Sequence, residues 1–181
     1  VILGQGPIGL LFTMLVERLG ACVVTTDMME TRLALSRRFG AHLAIKANDP
    51  DFARKVKELS GDRGADIVIV AASAPGIVDQ AVACSRPGAK IALFAQTSNR
   101  ETIAVTGADL VVAERTLVGY YSADVDLQAE SARLVFSGEL PLNELISHRF
   151  ALPDIHKGIQ QALHPDDKSL KIIVQPQRWS E

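Results

Sequence analysis

Three glycines within the first nine residues constrain the fold most. The chain opens Val1-Ile-Leu-Gly4-Gln-Gly6-Pro-Ile-Gly9-Leu-Leu, a short apolar strand that runs into Gly-x-Gly-x-x-Gly and then into an apolar-rich helix. Between a strand and a helix this spacing has a definite use. The first glycine makes the tight turn, the second lets phosphates approach the main chain, and the third lets helix and strand pack closely. The helix amino terminus adds free N–H donors and partial positive charge, which makes the turn a cradle for a pyrophosphate. Gly4, Gly6 and Gly9 are the first candidate binding residues.

An acidic residue follows at the distance such a cradle requires. Ile8, Leu11, Phe12, Leu15, Val16 and Leu19 mark a helical stripe that Gly20 closes. Residues 22–26, Cys-Val-Val-Thr-Thr, read as a second strand ending at Asp27, 23 residues beyond Gly4. A carboxylate there accepts the ribose hydroxyls on the adenosine side of NAD and repels the extra phosphate of NADP. The plainer reading of Asp27 is a residue that simply caps or solvates a strand end. Arg32 is read as a solvent-facing helix residue, with reception of a 2′-phosphate as its alternative.

Alternation of strand and helix signals continues to residue 121. Helices are expected over 30–39, from Asp49-Pro50 to Leu59, and over 75–83; strands are expected at 43–45, 66–70, 90–95 and 116–121. The unbroken apolar run Ile67-Val-Ile-Val70 suits a parallel strand covered on both faces. Residues 107–114 fit either a helical contact or an extended segment. The pattern predicts an α/β, doubly wound Rossmann-type parallel sheet in the order 3-2-1-4-5-6, with ligand neighbours in the loops after Leu3, Val70 and Phe94. Beyond residue 121 the pattern changes. Asp124 is placed to cap a helix to Phe136, Phe150-Ala-Leu-Pro153 leads to a helix over 155–163, and 169–174 reads as a strand. The reading divides the chain into a dinucleotide-binding domain, 1–121, and a carboxyl tail, 122–181, that returns to a separate domain whose main part is absent.

Composition narrows the classes of function. With 48% hydrophobic residues and a formal charge of −2 from interspersed acids and bases, the chain offers a core but no basic field for nucleic acid. It carries no apolar run of membrane-spanning length, and a cytoplasmic location is the default expectation. Cys22 and Cys84 are widely spaced and read as small buried hydrophobes, and the scattered His42, His148, His156 and His164 form no zinc pattern. No catalytic or metal-ligating residue is nominated in this span.

The ordered segments VILGQGPIGLL (1–11), VTTD (24–27), GADIVIVAAS (64–73), RPGAKIALF (86–94), RTLVGYY (115–121), ISHRFALPDIHKGIQQAL (146–163) and LKIIV (170–174) together resemble the cofactor-binding domain and tail of the medium-chain dehydrogenases. Their zinc-dependent alcohol, polyol and threonine dehydrogenase branches are the most similar. The resemblance implies hydride transfer between a small alcohol or polyol and NAD, with zinc held by ligands in an upstream catalytic portion. It places Gly4, Gly6 and Gly9 at the pyrophosphate, Ile8 against the nicotinamide, Asp27 at the ribose and Lys171 at a cofactor phosphate. A solvated strand edge is the other reading of Lys171. Ala95 stands where relatives commonly have glycine, and its methyl group narrows the nicotinamide pocket if the backbone approaches closely. His42 is read as a loop histidine, with stacking on the adenine edge as its alternative. The segment 116–121 is expected to pair with a second copy in a homodimer. Two other functions stay open: a zinc-free quinone or enoyl reductase, and a nucleotide-responsive regulatory module without catalysis.

Overall fold

The computed structural model describes residues 1–95, 102–122 and 124–176. Two compact units divide the chain, Val1–Ser122 and Ala123–Glu181. The first contains β1 (Ile2–Leu3), α1 (Pro7–Arg18), β2 (Val24–Asp27), α2 (Glu30–Arg38), β3 (Leu43–Lys46) and α3 (Phe52–Leu59). It continues through β4 (Ala65–Val70), α4 (Ile77–Cys84), β5 (Ser85–Leu93) and β6 (Thr116–Gly119). Every strand pair is parallel and the order is β3-β2-β1-β4-β5-β6, so the expected α/β Rossmann-type sheet is the fold.

Burial explains the strand composition. All residues of β1 and β2 are buried, and Leu3, Val24, Ile45, Val68, Val70 and Ile91 pack with Phe52 and Val56 of α3 and Ala81 and Cys84 of α4. Each fully buried large aliphatic or aromatic side chain here contributes roughly 1.5–3 kcal/mol. β-Branched residues suit these flat, crowded positions.

Several boundaries differ from expectation for identifiable reasons. The second strand starts at Val24 rather than Cys22, because Val23 is held irregularly: its N–H donates to His42 Nδ1 at 3.1 Å and its carbonyl accepts from His42 N at 2.8 Å. Cys22 is consequently exposed, contrary to the buried reading, whereas Cys84 is buried as expected. The inner face of α1 consists of Gly9, Leu10, Thr13 and Met14, not the stripe from Ile8 to Leu19; Leu19 is 84% exposed. This helix is apolar over most of its circumference, so periodicity alone selects the wrong face. β5 starts at Ser85, five residues early, with a register shift across Pro87-Gly88, and Gly88 N donates to Ala113 O at 2.8 Å.

Residues 108–112 form a single π-helical turn. Arg115 anchors it: Nε and Nη2 donate to the hydroxyl and carbonyl of Ser85 at 2.9 and 3.1 Å, while Nη1 lies 3.5 Å from Asp109 Oδ1.

The second unit contains α5 (Gln128–Phe136), β7 (Ile146–Ala151), α6 (Ile155–Leu163) and β8 (Lys171–Gln175). Asp124 accepts from Asp126 N and caps a 3-10 turn leading into α5. β7 and β8 pair in parallel with α6 as the crossover, and Gly158 of α6 lies close over Phe150. β7 was not expected as a strand, because Ser147-His-Arg149 interrupts its apolar pattern.

Candidate functional site

The carboxyl ends of the strands create the site, beginning with the turn after β1. Gly4 has φ +94° and donates its N–H to Thr26 O at 2.8 Å; a Cβ there would run into Ala72. At Gly9 a Cβ would overlap the Gly4 carbonyl oxygen and lie 2.9 Å from its carbon. These two glycines are therefore demanded by the protein's own packing.

Gly6 is different. A Cβ at Gly6 would meet nothing within 4 Å among the described residues, so packing within the protein does not require glycine there and the space above it is open. Gly6 is the N-cap of α1, Pro7 occupies the first helical turn, and no side chain among the described residues caps the helix. The first-turn N–H groups and positive dipole end consequently face open space above Gly6. Ile8 is 44% exposed on that same first turn.

Asp27 closes the adjacent side of the turn. The carboxylate is 8% exposed; Oδ2 accepts from Gln5 N at 2.7 Å and Oδ1 from Met29 N at 2.9 Å. Each oxygen retains acceptor capacity for a hydroxyl. Arg32 Nη1 lies 3.8 Å from Asp27 Oδ2, so Arg32 is turned to the carboxylate rather than simply toward solvent. Asp27 is therefore not a solvated strand end: it caps the end of β2 through Met29 N, and the further bond from Gln5 N ties the carboxylate to the glycine turn.

Farther along the same edge, a cavity of about 410 Å³ opens beside Val70, Ala72, Phe94, Ala95 and Tyr120. It lies at the ends of β4, β5 and β6, where the loops after Val70 and Phe94 were expected to meet a ligand. Phe94 N and Ala95 N both donate to Val70 O at 3.0 Å. Ala95 has no positive φ, so its methyl group introduces no backbone strain and simply lines the cavity.

The remaining candidates lie elsewhere. His42 precedes β3 at the amino ends of the strands and is occupied with Val23, which argues against contact with an adenine at the carboxyl edge. Lys171 is the first residue of β8 in the second unit, exposed, with its carbonyl accepting from Ser147 Oγ at 3.1 Å. Thus the first unit brings Gly4, Gly6, Ile8, Gly9 and Asp27 to one edge, whereas Lys171 belongs to the other unit. The sequence reading missed Gln5 and Thr13, buried beneath the turn; two polar side chains in an otherwise apolar segment were the available signal.

The sequence profile of a family described as zinc-binding dehydrogenase matches residues 7–136. Sorbitol dehydrogenase of Bacillus subtilis is 25% identical over 98% of this chain and 50% of its own length. (R,R)-butanediol dehydrogenase of Neisseria gonorrhoeae is 27% identical over 96% of this chain and 49% of its own. Among solved structures, an alcohol dehydrogenase of Thermotoga maritima superposes with a TM-score of 0.87 at 20% identity, covering 96% of this chain and 49% of that one. The Escherichia coli dehydrogenase rspB, complexed with NADH, gives 0.83 at 22% identity, with 96% and 50% covered. The chain spans about half the length of the curated relatives it matches.

Proposed function

Because the chain belongs to the zinc-binding dehydrogenase family, we propose that it is the cofactor-binding part of an NAD-dependent oxidoreductase acting on a small alcohol or polyol by hydride transfer. The observation that carries this reading is the Asp27 carboxylate, held by Gln5 N and Met29 N beside the open space above Gly6. When bound, NAD supplies the hydride acceptor. The chain's residues do the holding: Gly6 and the first-turn N–H groups of α1 receive the pyrophosphate, and Asp27 takes the adenosine ribose. The cavity beside Ala95 receives the nicotinamide end, with Ile8 against it; for Lys171 a role at a cofactor phosphate rests on the resemblance alone. The names of the sorbitol and butanediol dehydrogenases favour a polyhydric substrate.

Among the described residues no three His, Cys, Asp or Glu side chains gather to hold a metal ion, Cys22 is isolated, and burial pushes the Cys84 thiol up to about 11. In this proposal the ligands of a zinc ion lie outside the 181 residues, and no step is derived through it. No helix among the described residues is long and apolar enough to cross a membrane, and the proposed location is the cytoplasm.

The reading is tested by titrating the whole protein with NADH and NADPH, then following NADH absorbance with a panel of alcohols and polyols beside elemental analysis for zinc. Preference for NADH, bound zinc and polyol-dependent turnover are expected. Absence of nucleotide binding by the folded protein would sink the proposal, and NADH binding without turnover of any alcohol would favour the regulatory alternative.

The proposal includes a homodimer through β6. Among the described residues this strand pairs with β5 alone, and Val111, Val112 and Tyr121 are exposed in the same stretch of chain, with Tyr121 at 87%. An outermost strand of this kind calls for coverage, which a second copy supplies in this proposal and the chain's own carboxyl tail in the rival one. Val118→Asp is expected to convert a dimer to a monomer in sedimentation velocity while circular dichroism stays unchanged. A wild-type monomer at all working concentrations would end the dimer proposal.

A further inference from the structure

Beneath the glycine turn lies a polar side chain to which the cradle itself assigns no task. Gln5 is fully buried, and its amide is engaged at both ends: Nε2 donates to Gly4 O at 3.0 Å and Oε1 accepts from Thr13 Oγ1 at 2.8 Å. The Gln5 backbone N–H donates to Asp27 Oδ2 at 2.7 Å. The carbonyl of Gly4 and the N–H of Gln5 belong to one peptide unit, so both ends of that unit are pinned, one by the Gln5 side chain and the other by Asp27.

That peptide is the one in the turn most in need of pinning. Gly4 at φ +94° lacks the Cβ that restricts rotation elsewhere, and a flip would turn the Gln5 N–H away from Asp27 and aim a carbonyl oxygen toward the carboxylate. Thr13 supports the lock from α1, where its hydroxyl lies 2.8 Å from Gln5 Oε1 and 3.0 Å from Gly9 O. Gly9 also leaves the amide undisturbed, since a Cβ there would lie 3.3 Å from Gln5 Nε2 and press it aside by a few tenths of an ångström. An apolar side chain of similar length would fill the site without the desolvation cost of a primary amide. What the amide adds is direction.

We infer that Gln5, supported by Thr13, is a positioning residue that fixes the Gly4–Gln5 peptide and the Asp27 carboxylate in the arrangement that receives the ribose and pyrophosphate of NAD. This inference rests on the NAD reading above. Gln5 acts through the peptide and through Asp27, and it leaves the reacting end of the cofactor alone.

The test uses the whole protein, with NADH and ADP-ribose as probes, because ADP-ribose carries the ribose and pyrophosphate without the nicotinamide. Gln5→Leu is expected to weaken both by about tenfold, raising KM for the coenzyme while kcat changes by less than about twofold. Thr13→Val is expected to weaken both in the same direction and Thr13→Ser, which keeps the hydroxyl, to restore them. Should Gln5→Leu fail to fold, the contrast between Thr13→Val and Thr13→Ser decides alone. Unchanged affinity for both probes in Gln5→Leu and Thr13→Val, or in Thr13→Val alone if it is the only one that folds, overturns the role of Gln5 while leaving the NAD reading intact. A folded wild-type protein that binds neither probe overturns the NAD reading and this inference with it.

Discussion

A single methyl group at Gly6 is expected to weaken NADH binding by roughly 5- to 150-fold with little change in thermal midpoint, whereas the same methyl at Gly9 is expected to disrupt the unit itself. The two positions differ only in what surrounds them. The Cβ of Gly6→Ala would meet nothing in the protein within 4 Å, so folding costs no more than before; it would occupy the space into which the first-turn N–H groups of α1 point. Overpacking a close contact costs about 1–3 kcal/mol, which sets the loss of affinity just given. In Gly9→Ala the Cβ would overlap the Gly4 carbonyl oxygen and lie 2.9 Å from its carbon, and both groups are backbone with no side-chain rotation to relieve them. Strain of that kind belongs with the exceptional destabilisations above about 4 kcal/mol. Calorimetric melting and NADH fluorescence on both variants check the contrast. Undiminished NADH affinity in Gly6→Ala would show that the pyrophosphate does not cross Gly6.

The legible parts of this protein are those in which one residue type does one job. Gly4 and Gly9 mark their turn because only glycine meets its requirements, and the alternation of strand and helix leaves few topologies open once parallel crossovers are right-handed. The order β3-β2-β1-β4-β5-β6 was readable for that reason. Features set by two surfaces at once were not. α1 is apolar on most sides, so its buried face is chosen by the close approach at Gly9 rather than by periodicity, and Thr13 sits in that face as a hydrogen-bond donor to Gln5. β7 is recognisable only beside β8, because Ser147 serves the pair by accepting from Leu170 N and donating to Lys171 O. Cys22 misled because a β-prone run does not reveal where the ladder begins; the bonds between Val23 and His42 delay it. The place of Asp27 at the end of β2 was legible by spacing, but its engagement with the Gln5 N–H depends on a peptide orientation that spacing does not specify.

Neutralising Asp27 is expected to lower the preference for NADH over NADPH by about 10- to 100-fold, chiefly by raising affinity for NADPH. Two charges about 5 Å apart near a protein surface interact by roughly 3 kcal/mol, so a carboxylate at the ribose is an effective barrier to a 2′-phosphate. Asp27→Asn removes that barrier while keeping an acceptor oxygen for one of the two backbone donors, Gln5 N or Met29 N; the amide NH2 opposes the other, and a modest fall in thermal midpoint accompanies the change. Arg32, 3.8 Å from Asp27 Oδ2, then stands beside a neutral neighbour and adds attraction for the phosphate. The double variant Asp27→Asn/Arg32→Ala separates the two contributions: loss of repulsion persists in it, while the gain from the guanidinium disappears. Titrations of wild type, Asp27→Asn and the double variant with both nucleotides, repeated at high salt to screen the charge terms, measure each part. A ratio of NADH to NADPH affinity unchanged in Asp27→Asn would remove Asp27 from cofactor selection, and the carboxylate would then serve only to hold the turn.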